Sequence, residues 1–198
     1  LMTNVLADLA IETEAAMALG LRLASLYEHA RTDPEQSALA RIATAIGKYW
    51  VCKRVPAVAY EAMECLGGNG YVEEHPLGRL YREAPLNSIW EGSGNVICLD
   101  VLRAMGREPQ ALDALRKELS QAAGYDPIYD KFVGTLEANL SDLTALEGRA
   151  RWLVERFALA LQAAQLIQFG DGDTAKAFVR TRLKGDRSGC FGTLPQDL

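Results

Sequence analysis

Residues 65–71 read Cys-Leu-Gly-Gly-Asn-Gly-Tyr (CLGGNGY), and residues 88–95 read Ser-Ile-Trp-Glu-Gly-Ser-Gly-Asn (SIWEGSGN). Both turns interrupt a chain whose apolar spacing is otherwise helical, so their purpose decides how the whole is read. The glycines of the first allow left-handed backbone angles and bare amides, which suits close approach to a ligand such as a phosphate. They suit equally a Schellman-type stop after a long helix, with Gly67 and Gly68 absorbing the turn. In the second turn Glu91 stands beside Trp90, just before a helix. A carboxylate held against an indole loses water and its pKa rises, as a general base working near neutrality often needs. The alternative is that Glu91 caps that helix on a surface turn. Neither a G-x-G-x-x-G after a strand nor a P-loop lysine is present, which excludes nucleotide folds of those types.

Working outward, Leu6, Leu9, Thr13, Ala16, Met17, Gly20, Leu21 and Ala24 recur at steps of three and four, which predicts a helix to about residue 30 with that stripe inward. Asp33-Pro34-Glu35-Gln36 then opens a second helix, with aspartate as cap, proline at the first helical position and Gln36 able to complete a capping box. That helix carries Leu39, Ile42, Ile46, Tyr49, Met63 and Leu66 as far as Gly67. Pro56 is expected to kink it or split it in two. The short break between the two helices predicts an antiparallel pair. Downstream come a loop at His75-Pro76, a short helix over 77–83 and a helix over 95–105 stopped by Gly106. Residues 107–109 form the expected boundary between a core, 1–106, and a helical annex, 107–198. In the annex the pattern predicts helices over 110–123, from Asp126-Pro127, over 143–169 with Leu153, Phe157, Ala160, Ala164 and Ile167 on one face, and over 174–183. No run alternates as a strand does, so the fold class is all-α.

Composition narrows the function. The chain has 198 residues, 49% of them hydrophobic, enough for one domain with a helical annex. No apolar run approaches the roughly 18 residues that span a bilayer, so a soluble protein without a membrane partner is expected. Leu1 already lies in a helical pattern, which suggests that the numbered chain begins inside a larger protein. Cys52, Cys65, Cys98 and Cys190 lie far apart with only His29 and His75 to join them. That spacing predicts no metal site and reads as buried, reduced thiols of a cytoplasmic protein. The net charge of -5 disfavours a surface that binds nucleic acid everywhere. Lys176, Arg180, Arg182, Lys184 and Arg187, with only Asp186 against them, form either a phosphate-binding footprint or a solvated helix face.

The run over 61–105, EAMECLGGNGYVEEHPLGRLYREAPLNSIWEGSGNVICLDVLRAM, resembles the carboxy-terminal helical domain of the acyl-CoA dehydrogenase family. Within that family it is most similar to the AidB-like branch of the DNA alkylation response. GGNGY and WEGSGN, at this separation and with LYREAP between them, carry the resemblance. The residues beyond 106 are more weakly similar to that branch's helical extension. The resemblance implies the long antiparallel helices of a four-helix bundle, one helix of it missing here, followed by the extension.

By the same resemblance Glu91 is the catalytic base of an FAD-dependent oxidoreductase. It would remove a proton from the carbon next to a CoA thioester while hydride leaves the following carbon for the flavin. The amide of Glu91 would polarise the thioester carbonyl, and Gly92 would let the acyl-CoA approach. Ser93, Gly94 and Asn95 match positions that contact FAD. Glu64, Cys65, Leu66, Gly67 and Gly68 match a segment that approaches the FAD of a neighbouring subunit, which implies a homo-oligomer, dimer or tetramer, with shared sites. Glu64 departs from the family's usual glutamine, and a carboxylate sits poorly beside a pyrophosphate. The family's amino-terminal helical domain and middle β-domain are absent, so this fragment is expected neither to hold FAD nor to turn over substrate alone. Two other readings compete: contact with double-stranded DNA through the basic carboxy-terminal helix, and a helical oligomerisation module using 153–167 as a subunit face.

Overall fold

Asp33 turns the first corner. Its carboxylate accepts from the amides of Glu35 (2.8 Å) and Gln36 (3.3 Å), and Pro34 supplies a helical φ where no amide donor is needed. The computed structural model describes residues 1–140 and 146–198. In it α1, Met2–His29, and α2, Pro34–Cys65, flank this corner. They run antiparallel: Thr44 pairs with Tyr27 near the corner, and Arg54 pairs with Glu12 two to three turns further away. Pro56 lies within α2 without splitting it.

A one-turn α3, Gly68–Tyr71, follows, then α4, Leu77–Glu83, and a 3₁₀ turn, Ala84–Ser88. Helix α5, Gly94–Arg107, passes through Gly106 and stops at Glu108. Glu108 adopts φ -128° and ψ 72° because it precedes Pro109, which disfavours helical angles at the residue before it. The helix α6, Pro109–Ser120, starts immediately. The carboxylate of Asp126 accepts from Ile128 (2.7 Å) and caps α7, Pro127–Leu140. Helix α8 spans Leu146–Phe169, and the start expected at residue 143 lies outside the described residues. Helix α9, Gly172–Phe178, then continues into a π-helical turn, Val179–Leu183. Among the described residues every regular element is helical, as expected.

Helix α8 organises the interior. Every residue from Phe157 to Leu166 is buried, so the helix is covered on all sides rather than along one stripe, as happens to a helix at the centre of a fold. It packs against α1, α2, α5, α6, α7 and α9. Its two buried glutamines are satisfied: Gln162 accepts from the Trp50 indole at 3.0 Å, and Gln165 donates to Glu118 at 2.9 Å. Two consequences follow. One hydrophobic core runs through residues on both sides of 106/107, so the annex has no separate core. The expected subunit face over 153–167 is consumed within the chain.

Helix α1 corrects the stripe expected for it. The buried positions are Asp8, Ile11, Glu12, Ala15, Leu19 and Leu26, whereas Leu6, Met17 and Leu21 are exposed at 52%, 57% and 66%. Two carboxylates on the inner face disguise it in the sequence. They are buried because arginines from distant segments meet them: Arg54 reaches Glu12 at 2.7 Å, and Arg182 pairs with Asp8.

Candidate functional site

The second glycine turn is held against α2. Lys48 Nζ donates to the carbonyls of Trp90 (2.9 Å) and Gly92 (2.5 Å), closing the backbone around Glu91. Glu91 has φ 53° and Gly92 φ 108°. Glu91 is the one described non-glycine residue in the left-handed region, where a side chain is strained and which often marks a functional turn. A Cβ on Gly92 would meet Ile97 Cγ1 at 3.0 Å in addition to its unfavourable φ. The turn thus presents the Glu91 carboxylate outward over a backbone with no side chain at the next position.

Glu91 does not cap α5. Ser93 occupies the cap position with extended angles, and its hydroxyl makes no cap hydrogen bond. Among the described residues the first amides of α5 therefore remain for another acceptor. Gly94 is buried, and a Cβ there would meet Lys53 Cε at 3.0 Å, Tyr49 Cε2 at 3.3 Å and Arg151 Nη2 at 3.5 Å. Asn95 is exposed and accepts from Arg151 Nε at 2.8 Å. An exposed hydroxyl, an exposed carboxamide, free helix-start amides and two nearby cations make a donor set that fits the phosphate or ribose of a dinucleotide such as FAD.

Burial of Glu91 against Trp90 is not seen in this chain. Trp90 is 56% exposed and Glu91 is exposed; Ile89, Val96 and Leu99 beside them are exposed too. A dry setting for this carboxylate needs a cover from outside these residues.

The first glycine turn lies elsewhere. Cys65 is seventeen residues beyond Lys48 on α2, about 25 Å along the axis at 1.5 Å per residue. The two signatures are therefore separate surfaces of one chain. At the first, Gly67 alone takes a positive φ, 58°, and Gly68 is the first residue of α3. Glu64, Leu66, Gly67 and Gly68 are exposed and Cys65 is half-buried. The Glu64 carboxylate lies beside the Tyr60 phenol, and its charge and hydrogen bond push that phenol up. Gly70, which sequence reasoning passed over, is the constrained one: a Cβ there would lie 2.1 Å from the Met63 carbonyl oxygen.

The basic cluster does not form one face. Arg182 is buried, its side chain 3% exposed, and pairs with Asp8 and, at 3.3 Å, Glu12. Arg180 pairs with Asp197 (2.8 Å) and Asp186 (3.2 Å), Lys184 with Asp186 (2.8 Å), and Arg187 with Asp8 (3.4 Å). Lys176 is solvated, 3.9 Å from Asp173. Only Asp186 among the close partners was visible nearby in sequence. The cysteines also depart from expectation: Cys98 is buried, Cys52 and Cys65 are half-buried, and Cys190 is exposed. Among the described residues no group of side chains could hold a metal, and no helix is long and apolar enough to cross a membrane.

Comparison with known proteins bears directly on these turns. Residues 1–106 match the family model described as acyl-CoA dehydrogenase, C-terminal domain. The chain is 38% identical over 183 residues to the putative acyl-CoA dehydrogenase AidB of Escherichia coli, covering 92% of this chain and 33% of that protein. It is 34% identical over 127 residues to acyl-CoA dehydrogenase family member 11 of Caenorhabditis elegans, covering 63% of this chain and 21% of that one. The crystal structure of C. elegans ACDH-11 in complex with C11-CoA superposes with a TM-score of 0.75 at 26% identity, covering 90% of this chain and 35% of that chain. The chain thus spans about a third of the length of the AidB protein it matches.

Proposed function

The chain belongs to the acyl-CoA dehydrogenase family, and from that premise we propose that it is the carboxy-terminal part of an FAD-dependent enzyme that removes a proton and a hydride from an acyl-CoA thioester. The observation that carries this reading is the backbone of Glu91: a left-handed residue, strapped at both sides by Lys48 and followed by a glycine. In this reading the Glu91 carboxylate takes the proton from the carbon beside the thioester. The Glu91 amide donates to the thioester carbonyl as negative charge develops there. Gly92 leaves room for that carbonyl, and Lys48 fixes the loop so that base and donor keep one geometry. When bound, the flavin supplies the hydride acceptor. Ser93 and Asn95 hold its polar portion at the start of α5. The exposed Trp90, Ile89 and Val96 are the edge on which the acyl-CoA and the rest of the enzyme close, drying the carboxylate.

Residues 64–68 are assigned to the flavin of a neighbouring subunit. The separation of about 25 Å along α2 supports this, because one chain then contributes to two sites. The exposed row of Leu6, Met17 and Leu21 on α1 is where the further bundle helix packs. These 198 residues correspond to about a third of the AidB protein they match, so by themselves they are proposed not to retain flavin. The fragment should purify colourless, and a yellow fragment with stoichiometric flavin would show that part of the reading to be wrong.

In the complete protein, Glu91→Gln should abolish bleaching of the flavin by acyl-CoA and leave flavin binding intact. Undiminished bleaching would remove Glu91 as the base. Contact with DNA through the basic helix is disfavoured by the same geometry, since Arg182 is buried and the other arginines are paired.

A further inference from the structure

The family match ends at residue 106, yet one residue beyond it reaches the turn assigned to the flavin. Arg151, on α8, donates from Nε to Asn95 Oδ1 at 2.8 Å. Its Nη2 lies 3.5 Å from where a side chain on Gly94 would begin. We infer that Arg151 is a positioning residue for the cofactor: it sets which way the Asn95 carboxamide faces, and so makes the extension part of the flavin site. This rests on the reading of Asn95 as a flavin contact.

The chemistry is one of donors and acceptors. A guanidinium has five N–H donors and no acceptor, so it must face the oxygen of the Asn95 carboxamide. The Asn95 NH₂ group is then turned the other way, with no acceptor for either donor among the described residues. A phosphate or ribose oxygen needs donors, so the Arg151 contact selects the carboxamide orientation that can bind it. Without Arg151 the carboxamide flips freely and presents its oxygen to an electron-rich ligand part of the time. The geometry is defended locally. Gly94 is buried between Lys53, Tyr49 and Arg151, and a Cβ there would press on the lysine stem and the tyrosine ring while touching the guanidinium. Helix α8, anchored by its buried stretch from Phe157 to Leu166, brings the arginine in and fixes its height against α5.

Arg151 is exposed, so truncating it leaves the core intact. The test is a double-mutant cycle in the complete protein: wild type, Arg151→Ala, Asn95→Ala and the pair, each freed of flavin and titrated with FAD by quenching of flavin fluorescence. Melting curves of the apo-proteins confirm that each variant folds. Each single variant should bind FAD about tenfold more weakly, and the pair no more weakly than Asn95→Ala alone. Arg151→Lys, which keeps a cationic donor group with no acceptor, should recover part of the loss. Unchanged affinity in Arg151→Ala, or losses that add in the pair, would overturn the positioning role. A wild-type protein that binds no FAD would instead overturn the flavin reading, and this inference with it.

Discussion

The ammonium of Lys48 lies 2.5 Å from the carbonyl oxygen of Gly92 and 2.9 Å from that of Trp90. One side chain thus ties both ends of the turn that holds Glu91 in a left-handed conformation. A charged donor shared by two carbonyls is among the stronger hydrogen bonds, and it opposes the strain at Glu91, which is of order 1–3 kcal/mol. Lys48→Met keeps the stem and removes the donor. The turn should relax, and the maximal rate of flavin reduction by acyl-CoA should fall on the order of 100-fold, the usual consequence of misplacing a reacting group by about 1 Å. Stopped-flow reduction of the complete protein measures this. Flavin content should be unaltered, and an unchanged rate would mean that the strap is ornamental.

Gly70 and Gly68 give a paired prediction at the other turn. A Cβ on Gly70 would sit 2.1 Å from a backbone oxygen that cannot step aside, whereas one on Gly68 meets nothing within 4 Å. Gly70→Ala should therefore lower stability by about 2 kcal/mol or more, through overpacking against backbone. Gly68→Ala should change it by less than about 0.5 kcal/mol. Denaturant melts of the two variants decide, and equal effects would contradict the geometry.

How much of this was legible beforehand depends on how local the cause is. The caps at Asp33 and Asp126 and the short helix α4 follow from chemistry within a few residues, and each is found where the sequence places it, whereas α5 runs past the stop expected at Gly106 and ends only before Pro109. The inner face of α1 is not, because Asp8 and Glu12 look like solvent-facing residues until Arg182 and Arg54, 174 and 42 positions away, are seen to meet them. Helix α8 misleads in the opposite sense. A stripe on one face was readable, but cover from all sides depends on which helices surround it. At the site, the glycines and Glu91 stand out in sequence, while Lys48 and Arg151 carry no local signal and are recruited by packing.

The Arg182–Asp8 pair predicts what neutralising the basic cluster does. Both side chains are nearly inaccessible, at 3% and 0% exposure, and Asp8 also accepts from Gly192 at 3.1 Å. Removing one partner leaves the other buried with only a longer ion pair, Asp8 to Arg187 at 3.4 Å or Arg182 to Glu12 at 3.3 Å, which costs on the order of 3 kcal/mol. Arg182→Ala should lower stability by that order in a thermal or urea melt, and Asp8→Ala similarly. Lys176→Ala, at a solvated position, should do almost nothing. A loss of DNA retention in an Arg182 variant would then report unfolding, so the melt must accompany any binding assay. A fully stable Arg182→Ala variant would show the pair to be dispensable.

Glu12 makes the same cluster pH-dependent. Burial by itself raises its pKa, but the hydrogen bond and charge of Arg54, helped by Arg182 and Arg187, outweigh burial and hold it below 4.5. A carboxyl group depressed in the folded state contributes stability that is complete above its unfolded pKa and is lost as pH falls through the folded one. The contribution should thus be fully present at neutral pH and decline below about pH 4.5. Glu12→Gln removes the titration while keeping the shape. The variant should be less stable than wild type at pH 7, because Arg54 and Arg182 lose a charged acceptor, and the gap should close as both are taken toward pH 3. Melting temperatures of the two proteins across that range test the sign. A gap that widens in acid would mean that burial, not the arginines, governs Glu12.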